Sequence, residues 1–336
     1  MISVREIRKT YPGGGPGAAG SGRVRAVDGI SFELRAGEVV GLLGPNGAGK
    51  STTIRMITGY LGADGGSVHI DGFDAFRAPV KARRATGYLP EHAPLYPEMT
   101  PLGYLRYRAR LCGRWGRSAG RLAEAAASRC GLSEMLKRRI GRLSKGYRQR
   151  VGLAAALVHE PRVLILDEPA SGLDPVQIRE MRALVRELAQ DRTMLLSSHI
   201  LDEVERTCDR VMVIARGKLR ADGTPTELAE RFGPSPRVVF QCKSDPSVLD
   251  PRATSSATGG GWNEGRLEPL QGEDPRGLAE RIGATATKHG VALRELRIET
   301  ATLEDAFIHL TDDAPQPRAK TPSGSRVLRA LPEGSR

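Results

Sequence analysis

An apolar run, Glu38–Leu43, opens directly into Gly44-Pro45-Asn46-Gly47-Ala48-Gly49-Lys50-Ser51-Thr52. The run reads as a buried strand, and Thr52–Gly59 behind the loop reads as a helix. The pattern G-x-x-x-x-G-K-[ST] therefore stands between a strand and a helix, where a phosphate-binding turn has to be. Its glycines let backbone N–H groups turn inward around phosphate oxygens, and the helix N-terminus adds favourable polarity for an anion. Lys50 is placed to reach β- and γ-phosphates, and the Ser51 hydroxyl to ligate Mg²⁺.

A second motif supplies the chemistry. Val163-Leu164-Ile165-Leu166 predicts a buried strand that delivers Asp167 and Glu168 at its C-terminal end. Asp167 is placed to hold Mg²⁺, and Glu168 to polarise an attacking water as general base. Together the two motifs specify a P-loop ATPase.

The rest of the chain fits an α/β architecture. Strand-like segments at Thr86–Leu89, Val163–Leu166, Thr193–Ser197 and Val211–Ala215 alternate with helical ones at Val176–Gln190 and Leu201–Thr207. Such alternation predicts a mostly parallel, helix-covered sheet. A helical block of about 94–160 interrupts it as an insertion. After Gly233-Pro234 a small α+β unit is expected, with strands Arg237–Cys242 and Val291–Glu299 and helices Pro275–His289 and Thr302–Thr311. Ser255–Gly265 reads as a mobile loop within it. The expected division is 1–232, 233–312 and a disordered tail, 313–336; Gly13–Gly22 reads as a flexible loop.

Composition narrows the setting. No apolar run approaches the length of a membrane span. The N-terminal MISVREIRK carries charge at once and lacks a signal peptide's apolar core, which predicts a chain that stays in the cytoplasm. Cys112, Cys130, Cys208 and Cys242 are scattered, so reduced, mostly buried thiols are expected. The net charge is +12, and Pro101–Arg150 alone carries fourteen Lys/Arg against Glu124 and Glu134. Such a stretch fits an anionic membrane surface, a nucleic acid, or simply a solvated face. Arg106, Arg110, Arg114 and Arg117 recur at helical spacing and form the expected outward-facing group.

Leu143-Ser144-Lys145-Gly146-Tyr147 precedes the second motif and resembles the ABC signature LSGGQ, with Lys145 and Tyr147 departing from the consensus Gly and Gln. Tyr11, the run Ser171-Gly172-Leu173-Asp174 and His199 in Ser197-Ser198-His199 follow the order of the adenine-stacking aromatic, the D-loop and the switch histidine of that family. Over about residues 2–232 the chain thus resembles an ABC ATP-binding cassette. Glu91 stands where most ABC proteins have Gln. With LSKGY and SSHILDEVE it resembles the branch of exporter ATPases related to gliding-motility and multidrug systems, and Thr302–Phe307 resembles the closing helix of that branch's accessory domain.

The resemblance implies a RecA-like P-loop NTPase core with a helical ABC insertion and a C-terminal accessory domain. It implies ATP contacts by Tyr11, Gly44, Pro45, Asn46, Gly47, Ala48, Gly49, Lys50, Ser51, Thr52, Ser144, Gly146 and Asp174, and Mg²⁺ held by Ser51, Glu91 and Asp167. Catalysis falls to Glu168, His199 and Glu91. The implied partners are a separate membrane permease and a second cassette, identical or not, in a head-to-tail dimer at the inner face of the cell membrane. The competing reading is a non-transport ABC ATPase acting on nucleic acid or ribosomes. The single cassette and the short interval between phosphate loop and signature, without sustained heptads, argue against it. No nucleic-acid partner is expected.

Overall fold

The computed structural model describes residues 1–12 and 23–312. The expected loop Gly13–Gly22 and the expected tail 313–336 lie outside the described residues. In chain order the first elements are β1 (Ile2–Pro12), β2 (Arg23–Leu34), β3 (Val39–Leu43), α1 (Lys50–Ile57), β4 (Gly65–Ile70), the two-residue β5 (Phe73–Asp74), α2 (Pro79–Ala85) and β6 (Thr86–Leu89). The helical insertion follows with α3 (Pro101–Leu111), α4 (Gly116–Arg129) and α5 (Lys145–Leu157). The chain then returns to the sheet with β7 (Val163–Asp167), α6 (Pro175–Ala189), β8 (Thr193–Ser198), α7 (Leu201–Thr207), β9 (Arg210–Ala215), β10 (Lys218–Gly223) and α8 (Pro225–Phe232). Last come β11 (Arg237–Cys242), β12 (Thr254–Gly259), β13 (Trp262–Leu267), α9 (Pro275–His289), β14 (Leu293–Glu299) and α10 (Leu303–Thr311).

Two compact units result among the described residues, Met1–Leu228 together with residues 310–312, and Ala229–His309. The division falls inside α8, ahead of Gly233-Pro234. That dipeptide ends α8, as a Gly followed by a Pro does.

In the first unit, six strands run in the order β10-β9-β3-β8-β7-β6. All neighbours from β9 to β6 pair in parallel, and β10 closes the β9 edge antiparallel. The central strands β3 and β7 are buried at every residue, which is why they read as unbroken apolar runs. A second, antiparallel sheet has the order β2-β1-β4-β5. Ile2, Val4 and Ile7 of β1, Ile54 and Ile57 of α1, Leu42 of β3 and Met212 of β9 share one buried core, so the helix behind the phosphate loop is packed among strands of both sheets.

The basic row of the insertion is not continuous. Arg106 and Arg110 lie on α3, Arg114 in the connecting turn and Arg117 on α4. Gly113, at φ 81°, ends the helical path before Arg114, so helical spacing in the sequence does not become one helix face. Arg106 pairs with Glu124 at 3.2 Å, Arg148 donates to the Leu143 carbonyl at 2.7 Å, and Arg150 pairs with Glu180 at 2.8 Å. Arg106 and Arg148 serve the insertion's own packing, and Arg150 ties it to α6.

In the second unit the strand order is β12-β13-β11-β14, all antiparallel. Leu278, Ile282 and Ala286 of α9 pack on Val238, Phe240 and Cys242 of β11 and Leu267 of β13. The segment expected as a loop at Ser255–Gly265 is instead a hairpin, Ser255 pairing with Gly265 and Ala257 with Asn263. Every residue of β12 is exposed, so no alternation of apolar side chains announces the strand.

Candidate functional site

The site grows from the turn between β3 and α1. Gly49 holds φ 107°, a backbone region closed to most L side chains, and a Cβ there would lie 2.4 Å from the Ala26 carbonyl oxygen. Only glycine lets the loop close against β2 and begin α1 at Lys50. The Lys50 ammonium is nearly enclosed, at 5% exposure, and donates to the carbonyls of Gly44 at 2.7 Å and Pro45 at 3.3 Å. Burial lowers its pKa from the ordinary lysine value, and Glu168, Asp167 and Glu91 oppose that shift. The loop is thus a cation inside a ring of backbone, faced by three carboxylates.

The carboxylates come from neighbouring strand ends. β7 leaves Asp167 2% exposed, where burial raises its pKa, with Glu91 adding to the shift and Arg55 and Lys50 working against it. Ser197 of the adjacent β8 donates to Asp167 Oδ1 at 2.6 Å. The same hydroxyl accepts the backbone N–H of Glu168 at 3.0 Å. Glu168 itself takes φ 48°, an uncommon conformation for a residue with a long side chain. Its carboxylate Oε2 lies 2.9 Å from His199 Nδ1. One residue before the histidine, Ser198 donates to the buried Glu203 at 2.7 Å and accepts the Ile200 N–H at 3.0 Å. These two bonds set the path of the chain that presents His199.

A cavity of about 530 Å³ gathers Pro45, Asn46, Gly47, Ala48, Gly49, Lys50, Ser51 and Thr52 with Glu91, Glu168 and His199. Its chemistry is that of a site for a polyanion. The loop backbone and one enclosed ammonium form a cradle at a helix N-terminus, with a carboxylate and an imidazole among the lining residues. Ser51, Asp167 and Glu91 offer the hard oxygen ligands that suit Mg²⁺ alongside phosphate oxygens.

Not every expected contact falls there. Ser144, Gly146 and Asp174 line a different cavity, of about 750 Å³, with Tyr147, Arg150 and Gln177. Asp174 caps α6, accepting the N–H groups of Val176 at 3.0 Å and Gln177 at 2.9 Å. Tyr11 sits near the end of β1 opposite Val24, 37% exposed, outside the residues that line the phosphate cavity. Ser197, Ser198 and Glu203 join the site although the motifs above assign them no role. The run Ser197-Ser198-His199 was the visible signal, because two hydroxyls beside a strand-end histidine suit short-range positioning bonds.

A phosphate loop on a parallel sheet, with a carboxylate pair two strands over, beyond β8, and a helical insertion between them in sequence, defines a P-loop ATPase. The family profile described as ABC transporter matches residues 27–171. The linearmycin resistance ATP-binding protein LnrL of Bacillus subtilis (strain 168) is 32% identical over 315 residues, covering 93% of this chain and 98% of the relative. The Nod factor export ATP-binding protein I of Burkholderia orbicola (strain AU 1054) is 33% identical over 319 residues, covering 92% and 96%. A solved ATP-binding subunit of an ABC transporter superposes with a TM-score of 0.58 at 31% identity, over 68% of this chain and 91% of that one. The dimeric cassette MJ0796 in its post-hydrolysis state with ADP and Pi shares the fold, with a TM-score of 0.60 at 22% identity, over 67% of this chain and 98% of that one. The chain belongs to the ATP-binding subunits of ABC transporters, and it is an ATPase.

Proposed function

We propose that this subunit powers an exporter whose membrane permease is a separate polypeptide. The printed functions of two relatives, linearmycin resistance and Nod factor export, support that direction. No helix among the described residues is long and apolar enough to cross a membrane, which fits a subunit that reaches the inner membrane face through a partner. The observation that carries the enzymatic reading is the meeting of Lys50, Glu91, Glu168 and His199 around one cavity.

In this reading the phosphate-loop amides and Lys50 bind the β- and γ-phosphates. Glu168 accepts a proton from the attacking water. His199, with its proton on Nδ1, donates to Glu168 Oε2 and fixes the carboxylate's direction. Ser51, Asp167 and Glu91 would hold Mg²⁺, which when bound neutralises charge on the phosphates. Ser144 and Gly146 line a cavity apart from Lys50. That separation supports their completing the site of a second cassette in a head-to-tail pair, with Tyr11 stacking on adenine. The unit Arg237–Thr311 carries no phosphate loop, and its adjacent acids Glu273-Asp274 and Glu304-Asp305 do not close an apolar strand; it is assigned a regulatory or dimer-supporting part.

The test uses the full chain in two variants. Glu168→Gln keeps shape and hydrogen bonding but removes the base. Its turnover should fall by about 10²–10⁴-fold while nucleotide binding persists. Lys50→Ala should weaken binding itself. Unchanged hydrolysis in Glu168→Gln would move the base elsewhere, and cargo efflux that survives loss of this chain's ATPase would remove the exporter reading.

A further inference from the structure

On the first unit, Arg84, Cys112, Gly113, Arg114 and His159 line a cavity of about 310 Å³. None of these residues belongs to the phosphate cavity or to the cavity that holds Ser144. Arg84 comes from α2, Cys112 to Arg114 from the end of α3 and the turn after it, and His159 from the segment between α5 and β7. Three separate stretches of chain thus build the walls.

The walls are cationic and lack a counterion. Among the described residues, neither Arg84 nor Arg114 makes an ion pair or a side-chain hydrogen bond. Arg108, one helical turn before Cys112, lies outside the cavity lining, though its charge reaches both Cys112 and His159. Its Nε is shut off from solvent with no hydrogen-bond partner. His159 Nε2 lies 3.1 Å from the Thr86 carbonyl, which as an acceptor calls for the proton on that nitrogen. Nδ1 is enclosed with no partner. The charged groups acting on the Cys112 thiol are Arg108, Arg84 and Arg114, and those acting on the His159 ring are Arg108 and Arg114. No carboxylate stands among them. Arg84 and Arg114 are exposed, so solvent screens their repulsion, and both keep their full donor capacity for an anion entering the cavity.

We propose that this cavity is a binding site for a phosphate oxyanion, either free phosphate or a phosphomonoester headgroup. Guanidinium groups suit it by presenting paired N–H donors to phosphate oxygens. The volume lies at the small end of ligand pockets, as a compact headgroup requires.

The experiment works on the full chain and separates this site from the phosphate loop. Inorganic phosphate is titrated calorimetrically into Lys50→Ala and into the same protein carrying Arg84→Gln and Arg114→Gln. Phosphate affinity should survive Lys50→Ala and fall at least about tenfold when the two arginines are also lost. A control pair, Arg121→Gln with Arg138→Gln, removes equal charge from exposed positions elsewhere on the insertion and should leave affinity unchanged. In parallel, the otherwise native chain and its Arg84→Gln/Arg114→Gln variant are sedimented with vesicles of phosphatidic acid in phosphatidylcholine, and of phosphatidylglycerol at equal charge. A preference for phosphatidic acid that the double variant loses assigns the headgroup as source; phosphate binding without that preference assigns free phosphate. Both probes binding the double variant as well as its parent, or the control pair weakening binding equally, would overturn the proposal. ATP hydrolysis by Arg84→Gln/Arg114→Gln should match the parent, showing that the fold is intact.

Discussion

Ser197 holds Asp167 by a 2.6 Å hydrogen bond between two fully enclosed side chains. The same oxygen receives the backbone N–H of Glu168 at 3.0 Å, so one hydroxyl positions both acidic residues at the end of β7.

Ser197→Ala should therefore act on both carboxylates at once. The buried Asp167 carboxylate loses a partner, at a cost of about 1–3 kcal/mol, while the Glu168 N–H loses the hydroxyl but keeps the Ser197 carbonyl at 3.2 Å. The expected outcome is a lower melting temperature together with slower hydrolysis, by roughly tenfold or more, since small displacements of reacting groups carry large rate penalties. Calorimetry and steady-state kinetics on the same preparation check it. Loss of stability with full activity would show that Ser197 supports the strand end without setting its geometry.

Asp167 offers a pH test. Burial raises its pKa above the ordinary carboxylate value. The folded state then binds this proton more tightly than the unfolded chain, and stability drains away as pH rises through the folded-state pKa. Asp167→Asn removes that cost while its amide oxygen still accepts from Ser197. Free of nucleotide and Mg²⁺, the variant should melt higher than the parent near neutral pH, and the gap should close as pH falls through and below the usual carboxylate range. Melting curves across that interval decide it. A gap that widens on acidification would reverse the sign.

Much of the site was legible because its chemistry is local in sequence. Gly44–Thr52 is contiguous, and the Asp167-Glu168 pair closes an unbroken apolar strand. What escaped depends on partners distant in the chain. Ser197 becomes informative only once β8 lies beside β7, thirty positions back along the sequence from its hydrogen bond to Asp167. The β12–β13 hairpin escaped for another reason. Thr254–Gly259 is exposed throughout and carries only small and hydroxyl side chains, so it shows the composition of a loop while its backbone pairs as a strand. β10 is similarly polar at the sheet edge, where little burial selects for apolar side chains.

Glu91→Gln asks whether a charge is needed beside Lys50. Glu91 lines the phosphate cavity and is one of three carboxylates whose field favours the lysine's charged form. The substitution should leave nucleotide binding in place and lower basal hydrolysis only modestly, by a few-fold. A nucleotide titration and a turnover assay measure the two effects separately. Complete loss of binding would give Glu91 a structural part in the cavity.

In the second unit, Gly265 lies against Phe240, and a Cβ there would meet the ring at 2.4 Å. Gly265→Val should destabilise that unit by about 1–3 kcal/mol through overpacking. Nucleotide affinity should not change, because every residue lining the phosphate cavity belongs to Met1–Leu228. Hydrogen exchange resolved by segment, with a nucleotide titration alongside, would show faster opening of 237–299 at unaltered affinity. A parallel loss of affinity would mean that the units depend on each other for folding.

The left-handed backbone at Glu168 sets two selective pressures against each other. At φ 48° an Asn or Gly would sit with less strain than a glutamate. A population of variants screened only for heat tolerance should drift away from Glu at this position and come out inert, whereas one screened for turnover should keep it and remain softer. The residue thus marks a point where thermal hardening and work output cannot be improved together, and engineering for robustness has to hold it fixed and find its gains elsewhere in the fold.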